Sequence, residues 1–242
     1  MRHIKQCLIL AAGNGTRLRA ISANLPKPLV EFQGRPILEH VIRSAQEAWI
    51  EEFVIVLGYR AEMIRDWFES RWNGRARFTW VENPDYHKNN GVSALKARNA
   101  LHDNFLLLMA DHLFEPRTAR MMVRQHLAPG EVILAVDPKI DRVFDIDDAT
   151  KVLRSGDRIV NIGKEIEKYD ALDTGMFLCT PALFDVLECA NKDGNCSLSD
   201  GMRHLSRQGQ LRAREIGDAE WHDLDTPEAL AHADAESLLY AA

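Results

Sequence analysis

Apolar runs alternate with helix-patterned segments from residue 4 to residue 136, and that order leaves the chain few folds. Ile4–Leu10, Phe53–Leu57, Phe105–Met109 and Val132–Val136 are short and almost continuously apolar, as strands buried on both faces are, and Arg77–Val81 is a weaker strand. Between them, Pro36 opens a helix with Ile37, Leu38, Val41 and Ile42 at helical spacing. Ala61–Trp72, Gly91–Leu101 and Arg117–His126 supply further helices. Strand, helix and strand in sequence predict parallel neighbours with helices on both faces, so the expected class is α/β with a doubly wound, mostly parallel sheet.

The second half changes character. Thr150–Leu153 and Arg158–Ile162 flank Ser155-Gly156-Asp157 and read as a hairpin, and Leu172–Cys179 is a strand containing Gly175. Pro181 starts a helix through Phe184, Val186 and Leu187, and Ser197-Leu198-Ser199-Asp200 resembles a helix start. Thr226-Pro227-Glu228 opens the last helix, with Thr226 as cap and Pro227 at its first position. The sheet is therefore expected to be mixed, with a small β lobe added by the second half. At 242 residues a single domain is expected, 1–242, with halves 1–137 and 138–242.

The loop after the first strand carries the first chemical signal. Leu10-Ala11-Ala12-Gly13-Asn14-Gly15-Thr16-Arg17 is followed by Leu25-Pro26-Lys27-Pro28-Leu29. Glycines let backbone N–H groups approach phosphate oxygens. Arg17 can fork onto a phosphate, Lys27 is a point charge, and the prolines beside it restrict where that charge goes. No Gly-Lys-Ser/Thr follows and the third glycine of the dinucleotide fingerprint is missing, so the loop is neither of those motifs. Asp111 lies just beyond the apolar run Phe105–Met109, where a carboxylate needs water or a cation. Strand ends of that kind hold ligands in open α/β sheets, and a Mg²⁺ ligand fits the position. Asp223 and Asp225 share one face of an extended stretch, and Asp225 directly precedes a helix N-terminus.

The net charge of −6 excludes a general nucleic-acid binder, which needs a basic face. No apolar run approaches the ~20 residues of a membrane span, and Met1-Arg2-His3-Ile4-Lys5 leads into a strand without a signal sequence. Cys7, Cys179, Cys189 and Cys196 show no paired ligand spacing, which fits reduced thiols and a cytoplasmic location.

The segment Leu8–Leu29 resembles the signature of the nucleotidyltransferases that make sugar nucleotides and CDP-alcohols, whose fold is a Rossmann-like mixed sheet. The later stretches Asp147–Val152, Ile162–Ile166, Asp173–Phe177 and Trp221–Pro227 resemble the inositol-1-phosphate cytidylyltransferases. The resemblance implies transfer of CMP from CTP to an alcohol phosphate with Mg²⁺ as cofactor. It makes Arg17, Lys27, Asp111 and Asp225 catalytic and gives the metal to Asp111 and Asp225, with Asp223 as a partner or alternative ligand. Leu10, Ala11, Ala12, Gly13, Asn14, Gly15 and Thr16 would hold the phosphates, and Asn90, Gly91 and Ser93 the base. Asp148, Lys151, Lys164 and Asp173 would bind the acceptor in the second half.

Phosphocholine, aminoethylphosphonate and sugar-1-phosphate enzymes share the first signature, and Phe144 with Asp145, Asp147 and Asp148 suits a cationic head group. A nucleotide-binding sensor is the non-enzymatic alternative. The expected partners are CTP and a small alcohol phosphate, with no nucleic acid and no direct membrane insertion. Relatives of this kind are often fused to a membrane synthase; this sequence shows no such segment, so the expectation is a stand-alone transferase passing its product to a separate synthase. Oligomeric state stays open, a homodimer included.

Overall fold

The computed structural model describes residues 4–18, 22 and 25–236. Residues 1–3 of the amino-terminal lead, and 19–21 and 23–24 within the glycine-loop signature, lie outside the described residues. The strands are β1 (Gln6–Ala11), β2 (Glu31–Phe32), β3 (Arg35–Pro36), β4 (Glu52–Leu57), β5 (Arg77–Glu82), β6 (Phe105–Met109), β7 (His112–Phe114), β8 (Val132–Asp137), β9 (Lys151–Ser155), β10 (Arg158–Gly163), β11 (Ala171–Cys179), β12 (Leu211–Glu215) and β13 (Trp221–Asp223). The helices are α1 (Ile37–Gln46), α2 (Ala61–Arg71), α3 (Asn90–Lys96), α4 (Pro116–Met122), α5 (Ala182–Ala190), α6 (Leu198–Arg207) and α7 (Pro227–Glu236).

Among the described residues, nine strands form one sheet in the order β5-β4-β1-β6-β11-β8-β12-β10-β9. The pairs β5/β4, β4/β1, β1/β6 and β8/β12 are parallel, while β11 runs against both β6 and β8, and β10 against β12 and β9. The β9/β10 hairpin continues this sheet, and β9 also pairs with β11. The sheet therefore draws strands from both halves of the chain.

Alternation along β1 shows why its apolar run is continuous. Cys7, Ile9 and Ala11 face one core with Ile37, Ile42, Ile64, Phe68, Met122 and Ala233, and Leu8 and Leu10 face the other with Val92, Leu183, Leu187, Met202 and Leu205. Helices α1, α2, α4 and α7 thus cover one face and α3, α5 and α6 the other, the doubly wound arrangement expected.

Helix ends depart from expectation for local reasons. Pro36 is extended (ψ 142°) and caps α1 from outside, because its two-residue ladder with β2 holds it there. The helix expected over Gly91–Leu101 stops at Lys96 and continues as a 3₁₀ turn, Arg98–Ala100. The one expected over Arg117–His126 ends at Met122. Ser197 does cap α6, accepting from the Asp200 N–H at 3.1 Å, and the Thr226 Oγ accepts from the Ala229 N–H at 3.1 Å at the start of α7. Among the described residues no helix is long and apolar enough to cross a membrane.

Candidate active site

The site lies where the parallel strands β1 and β6 end, the position that topology assigns to ligands in such sheets. Asp111 follows β6 by two residues. A second, small ladder brings the distant acids to it: β7 pairs antiparallel with β13, opposing His112 to Asp223, and the Leu224 N–H donates to the Asp111 carbonyl at 3.0 Å. Asp225 then stands beside Asp111, one residue ahead of the α7 cap.

Lys27 enters from the opposite side. Pro26 is extended (φ −65°, ψ 145°), a 3₁₀ turn runs from Lys27 to Leu29, and the lysine is only 7% exposed. Its Nζ donates to Asp111 Oδ2 at 2.7 Å and also to Asp225. Gly15 makes this approach fit: its φ is +55°, and a Cβ there would lie 2.6 Å from the Lys27 Cβ. Gly15→Ala is accordingly expected to cost about 1–3 kcal/mol in stability through the left-handed backbone alone. It should also lower turnover by displacing Lys27; thermal melts and steady-state rates check both.

Arg17 extends the chain of charges. It pairs with Asp225 and, through Nη1, with Asp148 Oδ2 at 2.8 Å; Asp148 in turn pairs with Lys164. The alternating series Asp111, Lys27, Asp225, Arg17, Asp148 and Lys164 thus links the glycine loop to the second half of the chain. Burial would lower the Lys27 pKa, but Asp111, Asp225 and Asp223 more than offset it and keep the ammonium charged. Burial likewise opposes ionisation of Asp111, yet Lys27 and His112 hold its carboxyl well below the usual range. For Asp148, the hydrogen bond from Lys164 leads the downward shift.

Two cavities meet at these acids. One, about 210 Å³, is lined by Leu10, Ala11, Gly13, Asn14, Gly15, Thr16, Arg17 and Lys27. The other, about 260 Å³, is lined among others by His112, Asp137, Phe144, Asp148, Lys164, Asp173, Trp221 and Asp223. Asp111 and Asp225 line both and form the wall between them.

The sequence pattern defining the MobA-like NTP transferase domain matches residues 7–210. The chain belongs to this family. It is 35% identical over 97% of its length to a "Bifunctional IPC transferase and DIPP synthase" of Rubrobacter xylanophilus, covering 52% of that protein. It is 32% identical over 93% of its length to the protein of that name from Aquifex aeolicus, covering 50% of it. The chain thus spans about half the length of these relatives. Among solved structures, the inositol-1-phosphate CTP transferase from T. maritima superposes with a TM-score of 0.83 at 27% identity, over 98% of this chain and 94% of that one. A UDP-glucose pyrophosphorylase shares the fold, with a TM-score of 0.81 at 20% identity over 97% and 98% of the two chains. The α/β nucleotidyltransferase fold and the transferase class follow.

Most residues singled out in the sequence come together in this family member, and some do not. Asn90 lines the second cavity and its Oδ1 accepts from the Leu198 N–H at 2.8 Å, so it sits away from the glycine loop. Gly91 and Ser93 line neither cavity. A Cβ on Gly91 would lie 2.7 Å from the Cys196 carbonyl oxygen, so the glycine serves close packing of α3 on the approach to α6. The buried Ser93 Oγ accepts from Asn83 Nδ2 at 2.9 Å. Ala12 turns its carbonyl to the Tyr59 N–H at 3.1 Å. Lys151 also lines neither cavity, and its Nζ donates to the Asp147 carbonyl at 3.2 Å.

The sequence reading missed His112, Trp221 and Asp137. Trp221 Nε1 donates to Asp137 Oδ2 at 2.9 Å, which ties β13 to the end of β8. The only signal for His112 was its place next to Asp111.

The acids suit a divalent cation. Asp111, His112 and Asp223 can each offer an atom within 4.8 Å of the others. Asp223 Oδ1 is buried without a hydrogen bond, and burial pushes the Asp223 carboxyl up to about 6, a state that a nearby cation would reverse. Carboxylate oxygens are the donors hard cations prefer.

Proposed function

We propose that this chain transfers the cytidylyl group of CTP to inositol-1-phosphate, giving CDP-inositol and pyrophosphate. The observation that carries the reading is the pair of cavities divided by Asp111 and Asp225, one lined by the glycine loop, Arg17 and Lys27, the other by Asp148, Lys164 and Asp173. The CTP and inositol-phosphate identities come from the relatives' names and from the structural neighbour.

The first cavity would take the triphosphate of CTP, with Leu10, Ala11 and Gly13 to Thr16 along the phosphates. The acceptor phosphate enters the second cavity, where Lys164 offers a charge and Asp148 and Asp173 accept from ring hydroxyls. An oxygen of the acceptor phosphate, already ionised at neutral pH, attacks the α-phosphorus of CTP. A new P–O bond forms, and the bond from the α-phosphorus to the bridging oxygen breaks with its electron pair leaving on pyrophosphate. No general base is required, so the residues act by positioning and charge. Lys27 would neutralise the α-phosphate and Arg17 the departing pyrophosphate, both exchanging their present carboxylate partners for phosphate. Asp111 and Asp225, with Asp223 nearby, would hold Mg²⁺, which would supply Lewis-acid stabilisation of the charge that develops in the transfer.

Pyrophosphate release tests the reading. CTP, UTP, GTP, ATP and dTTP are crossed with inositol-1-phosphate, phosphocholine, aminoethylphosphonate, glucose-1-phosphate and mannose-1-phosphate, with EDTA-treated protein as blank. Turnover with CTP and inositol-1-phosphate is expected. A different preferred pair would keep the nucleotidyl transfer and reassign the second cavity; CTP binding without release in any pair would make the chain a sensor. With the preferred pair, Lys164→Ala should raise the acceptor KM several-fold more than the CTP KM. The opposite ratio would place Lys164 on the nucleotide side.

A further inference from the structure

We propose that His112 is a positioning residue: its Nδ1 fixes Asp111 by one oxygen, so that the other oxygen is presented to the reacting groups, and it holds Asp223 at a set distance from that acid. The inference rests on the functional reading above for the role of the metal. His112 Nδ1 lies 2.9 Å from Asp111 Oδ1 and 3.8 Å from Asp223 Oδ1, between two carboxylates that would otherwise repel across the β7/β13 ladder. Asp111 Oδ2 is the oxygen that meets Lys27 at 2.7 Å, so the two oxygens of Asp111 have separate partners and its rotation is fixed.

The imidazole itself is held on both sides. It stacks on Trp221 with ring centroids 5.8 Å apart and planes 18° from parallel. On another side stands Gly175, whose φ is +75° and whose N–H donates to Asp173 Oδ1 at 2.8 Å. A Cβ at Gly175 would lie 2.5 Å from His112 Cδ2, so the glycine is what admits the ring. Nδ1, the ring nitrogen that faces both acids, is committed to donating to Asp111 and does not ligate a cation, so the atoms presented between Asp111 and Asp223 are oxygens alone. That separates two uses of the Asp111, His112 and Asp223 group: a nitrogen-containing site for a softer ion, or an oxygen site oriented by a histidine.

Mn²⁺ serves as the probe, bound with CTP to the whole chain and followed by EPR. His112→Ala is expected to weaken Mn²⁺ binding about 10–100-fold, the usual loss when a ligand's hydrogen-bond partner is removed. His112→Asn, whose side-chain amide can still donate to Asp111, should recover most of the loss. Gly175→Ala, which displaces the ring without changing its atoms, should resemble His112→Ala. In turnover, kcat should fall while the acceptor KM changes little.

Pulsed EPR of the wild-type complex should show no coupling from a directly bound imidazole nitrogen. Such a coupling, unchanged Mn²⁺ affinity in His112→Ala, or His112→Asn as weak as His112→Ala with its thermal melt intact would each overturn the proposal, as would wild type that binds no Mn²⁺. A chain that shows the histidine dependence but transfers nothing to any acceptor would overturn the functional reading and leave the role of His112 standing.

Discussion

Lys27→Ala is expected to lower turnover by about 10²–10³-fold, the usual loss when a fixed donor to developing charge is removed. Lys27 is almost fully buried and its Nζ touches both Asp111 and Asp225. No solvated lysine can replace it, because Pro26 and Pro28 set its backbone and Gly15 admits its stem. The truncation also leaves two carboxylates facing each other without their shared counter-charge. Asp111 then loses the largest of the influences that hold its carboxyl low, and its pKa rises. The acid limb of the pH–rate profile should therefore move to higher pH in the variant, since Asp111 protonates earlier as pH falls. Lys27→Arg should rescue little: a planar guanidinium does not fit a slot closed by Gly15 and two prolines. Steady-state rates at saturating substrates and metal, followed across pH, measure both effects. Near-wild-type turnover in Lys27→Ala would remove the lysine from the chemistry.

What was legible in the sequence was what is local. The glycine loop, the Lys27 turn, Asp111 beyond an apolar strand and Asp225 before a helix cap are each written within a few neighbouring residues. Their convergence came only through the family resemblance, because in the fold it depends on β7 and β13, strands of three residues in which no period can be read. The direction of β11 was equally hidden. Its apolar run records burial on both faces, which a strand running against β6 and β8 has as fully as a parallel one. The Leu211–Glu215 strand alternates Leu and Ala with Arg, a stretch too short and too charged to stand out as a strand in the sequence. Gly91 and Ser93 carry contacts that their motif does not show. An Asn-Asn-Gly turn with a following Ser has the chemistry of a base reader, and in the fold Gly91 packs on Cys196 and the Ser93 hydroxyl accepts from Asn83. A motif gives the residue types, and only tertiary contact decides which way they face.

Asp173→Asn should stabilise the protein while impairing acceptor use. Burial pushes the Asp173 carboxyl up from 3.8 to about 6, although the Gly175 N–H and His112 both pull it down. An acid whose pKa is raised by folding opposes the folded state once ionised. Wild type therefore loses stability as pH rises from about 4 through 6 and gains none of it back above that. Asparagine cannot ionise, and its carbonyl oxygen can still accept from Gly175. The difference between variant and wild type should thus be near zero below pH 4, grow across that window and level off above it. Its plateau should be about 2 kcal/mol after allowance for water in the cavity, or a rise of about 4–8 °C in Tm. At the same pH the acceptor kcat/KM should fall, because a carboxylate that accepts from two hydroxyls becomes an amide that accepts on one side only. Melting curves at pH 4 and pH 8, with acceptor titrations at pH 8, separate the two effects. A variant no more stable at pH 8 than at pH 4, relative to wild type, would mean that Asp173 is solvated in the free protein. A stabilised variant with unchanged acceptor kinetics would mean that the strain of its buried charge is held for something other than the acceptor's hydroxyls. Only stabilisation together with lost acceptor affinity fits a carboxylate kept at a cost to the fold for the substrate it receives.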